Sequence, residues 1–306
     1  MIDHDPVLLG YLRADFGEAA EERLAGVLEK STDLLQEWGV RPTGWLPGAT
    51  CSLIVVGERT EEEVVLKAPF LPWELEASLR TMQAFSDHGG VPVLAADELS
   101  GTVLLPRLFP GTTLADSGLG EEAELEIWCR LVLSLRKARG DAPPVTSYLN
   151  YHEGREVFGP LRMDLADKVR RLLAWLVETS PEPQLLHGDL HHYNILLHGD
   201  DWVAIDPEGM LGDPAYEAAA FLRNPIDRLV GIEDLVGLTR QRIYSISKIL
   251  GDPAERIWGW AMARNLMSVP HNDPEGKHPW TRGAEALHRL GPEFAPALID
   301  ESSWKE

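Results

Sequence analysis

The chain has 306 residues and carries 28 lysines and arginines against 49 aspartates and glutamates, a formal net charge of −21. Hydrophobic residues make up 44% and charged residues 25%, which is typical of a folded globular protein and excludes a largely disordered chain. The excess of carboxylates disfavours nucleic acid and anionic membrane surfaces as partners, because both are bound by clusters of Lys and Arg. A neutral or cationic ligand fits the charge, as does an anion met by a few placed cations or metal ions.

The cysteine content and the N-terminal residues indicate in which cellular compartment the protein is expected. Cys51 and Cys129 are the two cysteines, which excludes a disulfide framework and a four-thiolate zinc site. The amino terminus is acidic and lacks the basic region and apolar run of a signal peptide, and no segment approaches about 18 uninterrupted apolar residues. We therefore expect a cytoplasmic protein.

The first part of the chain mixes helical and strand patterns. The predicted elements are, in order, a helix over residues 14–38, strands over 52–56 and 64–67, a helix over 74–85, and strands over 91–97 and 101–108. The first two strands flank a polar turn and predict a hairpin. This order is typical of a small α+β lobe.

The chain changes character at residues 109–111, where Phe-Pro-Gly interrupts the strand pattern. Predicted helices follow at about 121–139, 159–179, 232–250, 254–268 and 283–290. Among them lies a non-helical segment, residues 185–209, with two short β runs at 195–197 and 202–205 joined by turn residues. We therefore divide the chain into an N-terminal lobe, residues 1–107, and a larger, mainly helical C-terminal lobe, residues 108–306.

Polar side chains capable of chemistry flank the two short β runs. Asn194 and Asp206 stand at the ends of the predicted hairpin, where an amide and a carboxylate oxygen can converge on one hard cation such as Mg²⁺. Asp189, five residues before Asn194, is spaced to accept a proton from a substrate hydroxyl. Protein kinases use this same spacing.

The segment HGDLHHYN resembles the catalytic loop of the aminoglycoside phosphotransferase family. AIDPEGMLGDPAYEAA is similar to that family's metal-binding strand and the loop after it, and its IDPEG form is nearest to the streptomycin and hydroxyurea resistance kinases. VLLPRLFPGTTL and WAMARNLMSVPHNDPEG add support as a hinge and a C-terminal segment. The resemblance implies an α+β, two-lobed protein-kinase-like fold and an ATP- and Mg²⁺-dependent small-molecule O-phosphotransferase.

The resemblance also implies roles for individual residues. Asp189 would be the base or orienting group for the acceptor hydroxyl, and Asn194 and Asp206 would hold Mg²⁺. Lys67, at the end of a strand, would bind the α- and β-phosphates and pair with a glutamate of the next helix, with Glu76 the first choice and Glu74 the second. His187 would shape the loop by hydrogen bonding, and no role follows for His191 or His192.

Two departures from the wider kinase pattern affect the nucleotide site. No GxGxxG covers the phosphates, so Gly48, Ala49, Thr50 and Ser52 would supply backbone N–H groups and hydroxyls instead. Pro106 stands where relatives have an acidic hinge residue, and it has no N–H to donate. Adenine recognition would then fall to the backbone of its neighbours Leu105, Arg107 and Leu108, which leaves ATP and GTP both open.

The acceptor is the least determined part of the prediction. A streptomycin-like aminoglycoside is the first choice, and Asp213, Asp273 and Glu275 are candidate carboxylates for its cationic groups. The same scaffold suits a sugar, choline, an amino alcohol or hydroxyurea as acceptor. A catalytically silent nucleotide-binding protein is an alternative, and a zinc hydrolase using the His187 and His191 pair is another, although Gly188 disfavours the helix that such a site needs.

Overall fold

The computed structural model describes residues 7–46, 51–70, 75–147, 163–268 and 278–295. The chain begins with two helices, α1 (Leu8–Phe16) and α2 (Ala20–Glu37), separated by a short 3₁₀ turn. The sequence predicted a single helix over 14–38. The division falls at Gly17, whose positive φ of 57° takes the backbone out of the helical region.

An antiparallel five-stranded sheet follows, with α3 inserted between its third and fourth strands in the sequence. The elements are β1 (Arg41–Trp45), β2 (Ser52–Arg59), β3 (Glu62–Pro69), α3 (Leu75–Phe85), β4 (Ala95–Asp97) and β5 (Thr102–Pro106). Their order in the sheet is β1-β2-β3-β5-β4. The predicted β2–β3 hairpin is confirmed, and β1 is a strand that the sequence pattern did not indicate.

The two faces of this sheet have different roles. Val64, Leu66 and Ala68 of β3 are buried together with α1 and α2 in one apolar cluster. Because side chains alternate along a strand, Val65 and Lys67 point to the opposite face. A second cluster joins α3 to β5 through Leu79, Met82, Val103 and Leu105, and it extends to Val203 and Ile205 of the second part of the chain. The sheet therefore presents Lys67 toward the larger lobe.

The larger lobe is built around helices with two small sheets on one side. Its elements are β6 (Pro110–Thr113), α4 (Glu121–Leu135), α5 (Met163–Glu178), β7 (Gln184–Leu186), β8 (Ile195–His198), β9 (Asp201–Ala204), β10 (Met210–Gly212), α6 (Ala218–Leu222), α7 (Ile226–Leu229), α8 (Leu235–Leu250), α9 (Ala254–Ser268), α10 (Pro279–Arg289) and α11 (Gly291–Phe294). Strands β6, β8 and β9 form one sheet and β7 and β10 another. The predicted helix over 254–268 agrees with α9 at both ends.

Helix α9 lies at the centre of this lobe. Trp258, Trp260, Ala261 and Met262 on successive faces of the helix are all essentially inaccessible to solvent. A helix buried on all sides is surrounded by other elements, and α9 contacts α5, α6, α8 and α10. The buried polar side chains of α9 therefore contact other protein groups and not solvent.

The molecule thus has a sheet-containing N-terminal part and a mainly helical remainder, as the α+β, kinase-like prediction required. Across the described ranges, no helix combines the length and apolar character needed to cross a membrane.

Candidate active site

The β8–β9 hairpin brings Asn194 and Asp206 together. Ile195 pairs with Ala204, and beyond this pair the N–H of Ile205 donates to the carbonyl of Asn194 at 2.9 Å. Asn194, just before β8, and Asp206, just after β9, are therefore neighbours at the open end of the hairpin. Asp206 adopts a positive φ of 61°, which asparagine and aspartate tolerate better than most residues.

Lys67 meets Asp206 across the cleft between the two lobes. Its Nζ pairs with Oδ1 of Asp206, and the two side chains are 16% and 49% exposed. Lys67 lies opposite Ile54 in the β2–β3 hairpin, and Ser52 is on the same face of that hairpin. The cation that sequence analysis assigned to the phosphates is thus adjacent to a carboxylate assigned to the metal.

The donor set at the hairpin end suits a magnesium ion. Nδ2 of Asn194 donates to the main-chain carbonyl of Asp189 at 2.9 Å, which leaves its amide oxygen as a ligand. The half-exposed carboxylate of Asp206 supplies the charged oxygen, and Mg²⁺ prefers such oxygen ligands together with phosphate and water. By contrast, no cluster of three or more His, Cys, Asp or Glu in the described residues is arranged to hold a metal, so the zinc alternative finds no support there.

Asp189 is held by cations on one of its two oxygens. Oδ1 accepts hydrogen bonds from Arg264 at 2.8 Å and from Arg223 at 3.3 Å, while Oδ2 lies 3.4 Å from Nε2 of His191. Burial by itself raises the pKa of this carboxyl, but the hydrogen bond with His191 and the charges of Arg264 and Arg223 outweigh it and lower the pKa. Asp189 is therefore a carboxylate throughout the physiological range.

His187 joins the loop to the metal-binding strand, as the sequence analysis expected. The ring is inaccessible to solvent; Nδ1 accepts the N–H of Asp189 at 3.3 Å, and Nε2 donates to the carbonyl of Ile205 at 2.9 Å. These two bonds require the neutral tautomer with its proton on Nε2. Burial lowers the pKa of His187 to about 4, which keeps the ring neutral.

Sequence reasoning missed a buried acid beneath the loop. The carboxylate of Glu217 accepts the main-chain N–H groups of His187 at 2.8 Å and Gly188 at 2.9 Å. Burial raises its pKa, and the two backbone hydrogen bonds oppose that shift. Gly188 itself has a φ of 83°, a conformation that only glycine adopts without strain. Glu217 thus fixes the turn that presents Asp189.

Glu208 is a second carboxyl beside Asp189 that the sequence did not single out. Its Oε1 accepts from Arg264 at 3.2 Å, so one guanidinium joins both acids. Burial raises the pKa of Glu208 to about 7; Arg264 opposes the rise and the charge of Asp189 adds to it. Sequence spacing could not reveal the Glu208–Arg264 pair, because Arg264 lies on a helix more than 50 residues after Glu208.

Helix α3 is packed directly on the segment that follows Asp206. A Cβ added to Gly209 would lie 2.4 Å from Oγ1 of Thr81 and 2.5 Å from the carbonyl of Ala77, so the two backbones touch. At the other end of α3 the ring of Phe85 stacks on His187 with centroids 6.4 Å apart. The N-terminal lobe is therefore in contact with both the loop that carries Asp189 and the segment that follows Asp206.

Several predicted residues fall outside what the structure describes. These are Gly48, Ala49, Thr50, Glu74, Asp273 and Glu275, together with the side chain of Glu76 within α3. The pairing of Lys67 with Glu76 or Glu74 therefore stays a prediction, as does the part that Asp273 and Glu275 have in acceptor binding.

Asp213 is buried, which disagrees with the sequence-based expectation that it binds the acceptor. It is 1% exposed; Oδ1 accepts from the N–H of Ala215, and Oδ2 accepts from Arg256 and Trp260, both at 2.6 Å. A buried carboxylate with its oxygens engaged in this way stabilises the fold and does not bind an acceptor.

The hinge segment uses part of its backbone within the sheet. The N–H of Arg107 donates to the carbonyl of Glu63 at 3.0 Å, so it is not available to a nucleotide. Leu105 pairs with Val65 in the β3–β5 ladder, and Leu108 packs against the cluster that joins the two lobes. Of the three predicted hinge residues, Leu108 is the one whose N–H remains a candidate for adenine.

Known proteins resemble this chain over most of its length. The family model described as aminoglycoside/hydroxyurea antibiotic resistance kinase matches residues 37–276. A streptomycin 6-kinase of Streptomyces glaucescens is 29% identical over 282 residues, 87% of this chain and 89% of that protein. A streptomycin 3''-kinase of Klebsiella pneumoniae is 30% identical over 250 residues, 77% of this chain and 89% of that protein.

The fold also resembles that of solved structures. A thermostable mutant of an aminoglycoside phosphotransferase, in ternary complex with ADP and hygromycin B, superposes with a TM-score of 0.56 at 14% identity. The superposition covers 84% of this chain and 96% of that one. The site geometry and a family match over most of the chain lead to one conclusion. The chain belongs to the aminoglycoside/hydroxyurea antibiotic resistance kinases, a family of phosphotransferases, and it has a protein-kinase-like fold.

Proposed function

We propose that this protein transfers the γ-phosphoryl group of ATP to a hydroxyl group of a streptomycin-like aminoglycoside, with Mg²⁺ as the metal ion. The observation that carries the proposal is the convergence of Lys67, Asp206, Asn194 and Asp189 on one cleft. The two streptomycin kinases that resemble most of the chain support the choice of acceptor. They are named for different positions, so the proposal leaves the phosphorylated hydroxyl open.

The nucleotide's phosphates would be bound at the ion pair between the lobes. Lys67 would contact the α- and β-phosphates, and Asn194 and Asp206 would hold Mg²⁺. When bound, the metal neutralises charge on the phosphate oxygens. Ser52, on the same face as Lys67, would donate its hydroxyl toward the phosphates.

Asp189 would orient the acceptor hydroxyl. Its lowered pKa keeps it ionised, so that it can accept a hydrogen bond, and makes it a weak base. This suits phosphoryl transfer, in which positioning and charge stabilisation supply most of the rate enhancement and little proton transfer is needed before the transition state. In-line alignment of the hydroxyl is therefore the main contribution that we assign to Asp189.

Adenine would be recognised at the end of β5, beyond the residues that pair with β4. The backbone groups of Arg107 face β3, as its hydrogen bond with Glu63 shows, and successive residues of a strand direct their N–H and carbonyl groups to opposite sides. The carbonyl of Leu104 points away from β3 and accepts from Leu94. The carbonyl of Pro106, two residues later, therefore also points away from β3, but it lies beyond the end of β4. That carbonyl would accept the adenine amino group, and the N–H of Leu108 would donate to a ring nitrogen. A carbonyl there favours ATP over GTP, whose guanine presents an oxygen at that position.

An acidic group near the loop supports a cationic acceptor. The hydroxyl of Tyr193, on the same loop as Asp189, donates to the exposed carboxylate of Asp227, whereas Glu208 is already paired with Arg264. Guanidinium or ammonium groups of an aminoglycoside would pair with such carboxylates.

The division into a nucleotide-binding lobe, residues 1–107, and an acceptor-binding lobe, residues 108–306, accompanies this proposal. It is supported by the strand order, since β1 to β5 pair among themselves and β6 pairs with β8. Use of ATP as donor is consistent with the cytoplasmic location expected from the sequence.

An acceptor screen tests the proposal. The purified protein is incubated with ATP and Mg²⁺ and with streptomycin, hydroxyurea or choline, and ADP formation is followed together with the mass of the product. We expect streptomycin to accelerate ADP formation and to gain one phosphoryl group. Phosphorylation of hydroxyurea or choline with no reaction of streptomycin would overturn the proposed acceptor, and no stabilisation by ATP with Mg²⁺ would overturn the enzyme itself.

A further inference from the structure

Arg264 lies beneath the catalytic loop and is 1% exposed, although its charge is costly to bury. It comes from α9, the central helix of the larger lobe. Its guanidinium donates to the main-chain carbonyl of Gly188, to the hydroxyl of Tyr216 at 2.8 Å, and to Oδ1 of Asp189 at 2.8 Å. A buried cation with two partners in the loop, Gly188 and Asp189, is held there by those contacts.

The contacts of Arg264 and Arg223 distinguish the two oxygens of Asp189. Both guanidiniums donate to Oδ1, at 2.8 Å and 3.3 Å, whereas Oδ2 has the longer 3.4 Å contact with His191. The Asp189 side chain remains 22% exposed. A substrate hydroxyl that approaches from the cleft can therefore bond to Oδ2 without displacing either arginine.

We propose that Arg264 is a positioning residue for phosphoryl transfer: it holds Oδ1 of Asp189 so that Oδ2 receives the acceptor hydroxyl. This rests on the orienting role proposed for Asp189. Arg264 also bonds the Gly188 carbonyl, so it fixes the backbone and the side chain of the same turn. Reaching both needs the planar fork of a guanidinium, which the single ammonium of lysine does not reproduce.

Arg223 also contacts Asp189 but contributes less than Arg264 to holding its carboxylate. Its contact with Asp189 is 3.3 Å, and its other terminal nitrogen donates to Ser268 at 2.6 Å. The guanidinium also lies 5.4 Å from the ring centroid of Trp280. Because these contacts hold Arg223 from α10 and α9 as well as from the loop, its loss should disturb Asp189 less than the loss of Arg264.

Arg256 provides a matched control on the same helix. It is 6% exposed and donates to Asp213 and Leu176, both at 2.6 Å, and to Thr179 at 2.8 Å. Like Arg264 it is a buried guanidinium bonded to several protein groups, but none of its partners Asp213, Leu176 and Thr179 lies in the catalytic loop. Arg256→Lys therefore measures the effect on stability and on kcat of removing a buried guanidinium from α9 without changing any contact of the catalytic loop.

The experiment compares Arg264→Lys, Arg223→Lys and Arg256→Lys in the full chain. For each variant, kcat per folded molecule, KM for ATP and the melting-temperature rise caused by ATP with Mg²⁺ are measured. We expect Arg264→Lys to lower kcat on the order of 100-fold while KM for ATP changes less than about threefold. Arg223→Lys should lower kcat about tenfold, and Arg256→Lys should lower the melting temperature and leave kcat within about twofold of wild type.

The outcomes separate positioning from structural support. A kcat of Arg264→Lys near that of wild type would overturn the proposal, as would an equal loss of kcat in Arg256→Lys. A joint rise in KM for ATP and loss of nucleotide-induced stabilisation would also overturn it. The measurement uses whichever acceptor the wild-type enzyme phosphorylates, or water in slow ATP hydrolysis, so failure of streptomycin as acceptor counts against the proposed function alone.

Discussion

At the scale of single residues, the site depends on side chains that fix the catalytic loop from below. Glu217 binds two loop N–H groups, His187 bonds the loop to Ile205, and Arg264 bonds both Gly188 and Asp189. Each of these side chains is buried. The position of the Asp189 carboxylate is thus determined before any substrate binds, which is how preorganised groups lower the barrier of a reaction.

Burial of His187 makes the folding stability depend on pH. The unfolded chain takes up a proton on this ring below about pH 6.5, while the folded protein takes it up only near pH 4. Between these values the unfolded state binds more protons, so the stability supplied by neutral His187 is present above pH 6.5 and is lost as the pH falls. At pH 5 the loss amounts to about 2 kcal/mol.

His187→Gln tests this assignment, because glutamine keeps a donor and does not titrate. We expect the free energy of unfolding of the variant, measured in urea, to fall by about 2 kcal/mol less between pH 7 and pH 5 than that of wild type. Equal losses in the two proteins would show that His187 does not carry the pH dependence.

The sequence identifies some of these residues and not others. Asp189, Asn194 and Asp206 stand close together along the chain, with a fixed spacing that implies a loop and a hairpin. Arg264 and Glu217 reach the loop through packing of distant helices, and nothing in their local pattern distinguishes them from surface charges. Asp213 shows the converse error, since an acidic residue near a motif proved to be a buried partner of α9.

At the scale of elements, α3 and the segment after β9 are coupled by direct backbone contact. The connection after α3 also continues this contact, because Val91 donates to the carbonyl of Ala204 and Ala204 donates to Gly89. The hairpin that carries Asp206 is thereby fastened to the helix that follows β3. Movement of α3 should therefore displace the metal-binding residue.

Gly209→Ala tests this coupling, with Gly199→Ala as its control. Both glycines have positive φ, 80° and 60°, but an added Cβ meets α3 at Gly209 and meets nothing within 4 Å at Gly199. We expect the control to cost about 1 kcal/mol of stability and no activity. Gly209→Ala should cost about 2 kcal/mol or more and also lower kcat.

Unfolding in urea and turnover with ATP and the accepted acceptor provide the two measurements. If Gly209→Ala and Gly199→Ala have the same effect on stability and on kcat, the contact between α3 and Gly209 does not couple α3 to activity.

Elements with a clear pattern or a flanking turn signal were predictable, and some short ones were not. The limits of helix α9 follow from its apolar pattern, whereas β2 ends three residues later than predicted and β3 extends two residues further at each end. Strands β7 and β10 have three residues each, too few for an alternation to show, and they exist because they pair with each other. The break between α1 and α2 depends on the conformation of Gly17, which periodicity does not report.

At the scale of the whole molecule, the net charge of −21 is shared between both lobes. The field of the chain would therefore attract a cationic acceptor from a distance, while Lys67 would bind the anionic nucleotide locally. Such attraction is screened over about 8 Å at physiological ionic strength.

Ionic strength should consequently affect the two substrates differently. We expect kcat/KM for streptomycin to fall several-fold between about 0.01 M and 0.3 M salt, because screening removes the long-range attraction. KM for ATP should stay constant or decrease over the same range. A value of kcat/KM for streptomycin that does not depend on salt would contradict a role of the overall charge in acceptor binding.

The most direct test of the central assignment is the rate of phosphoryl transfer by Asp189→Asn, measured beside nucleotide binding in the same variant. We predict a loss of kcat of about 1,000-fold or more, because an amide cannot replace the carboxylate that orients the hydroxyl. The rise in melting temperature caused by ATP with Mg²⁺ should remain close to that of wild type, since Lys67, Asn194 and Asp206 are unchanged. Turnover by Asp189→Asn at the wild-type rate would contradict the account.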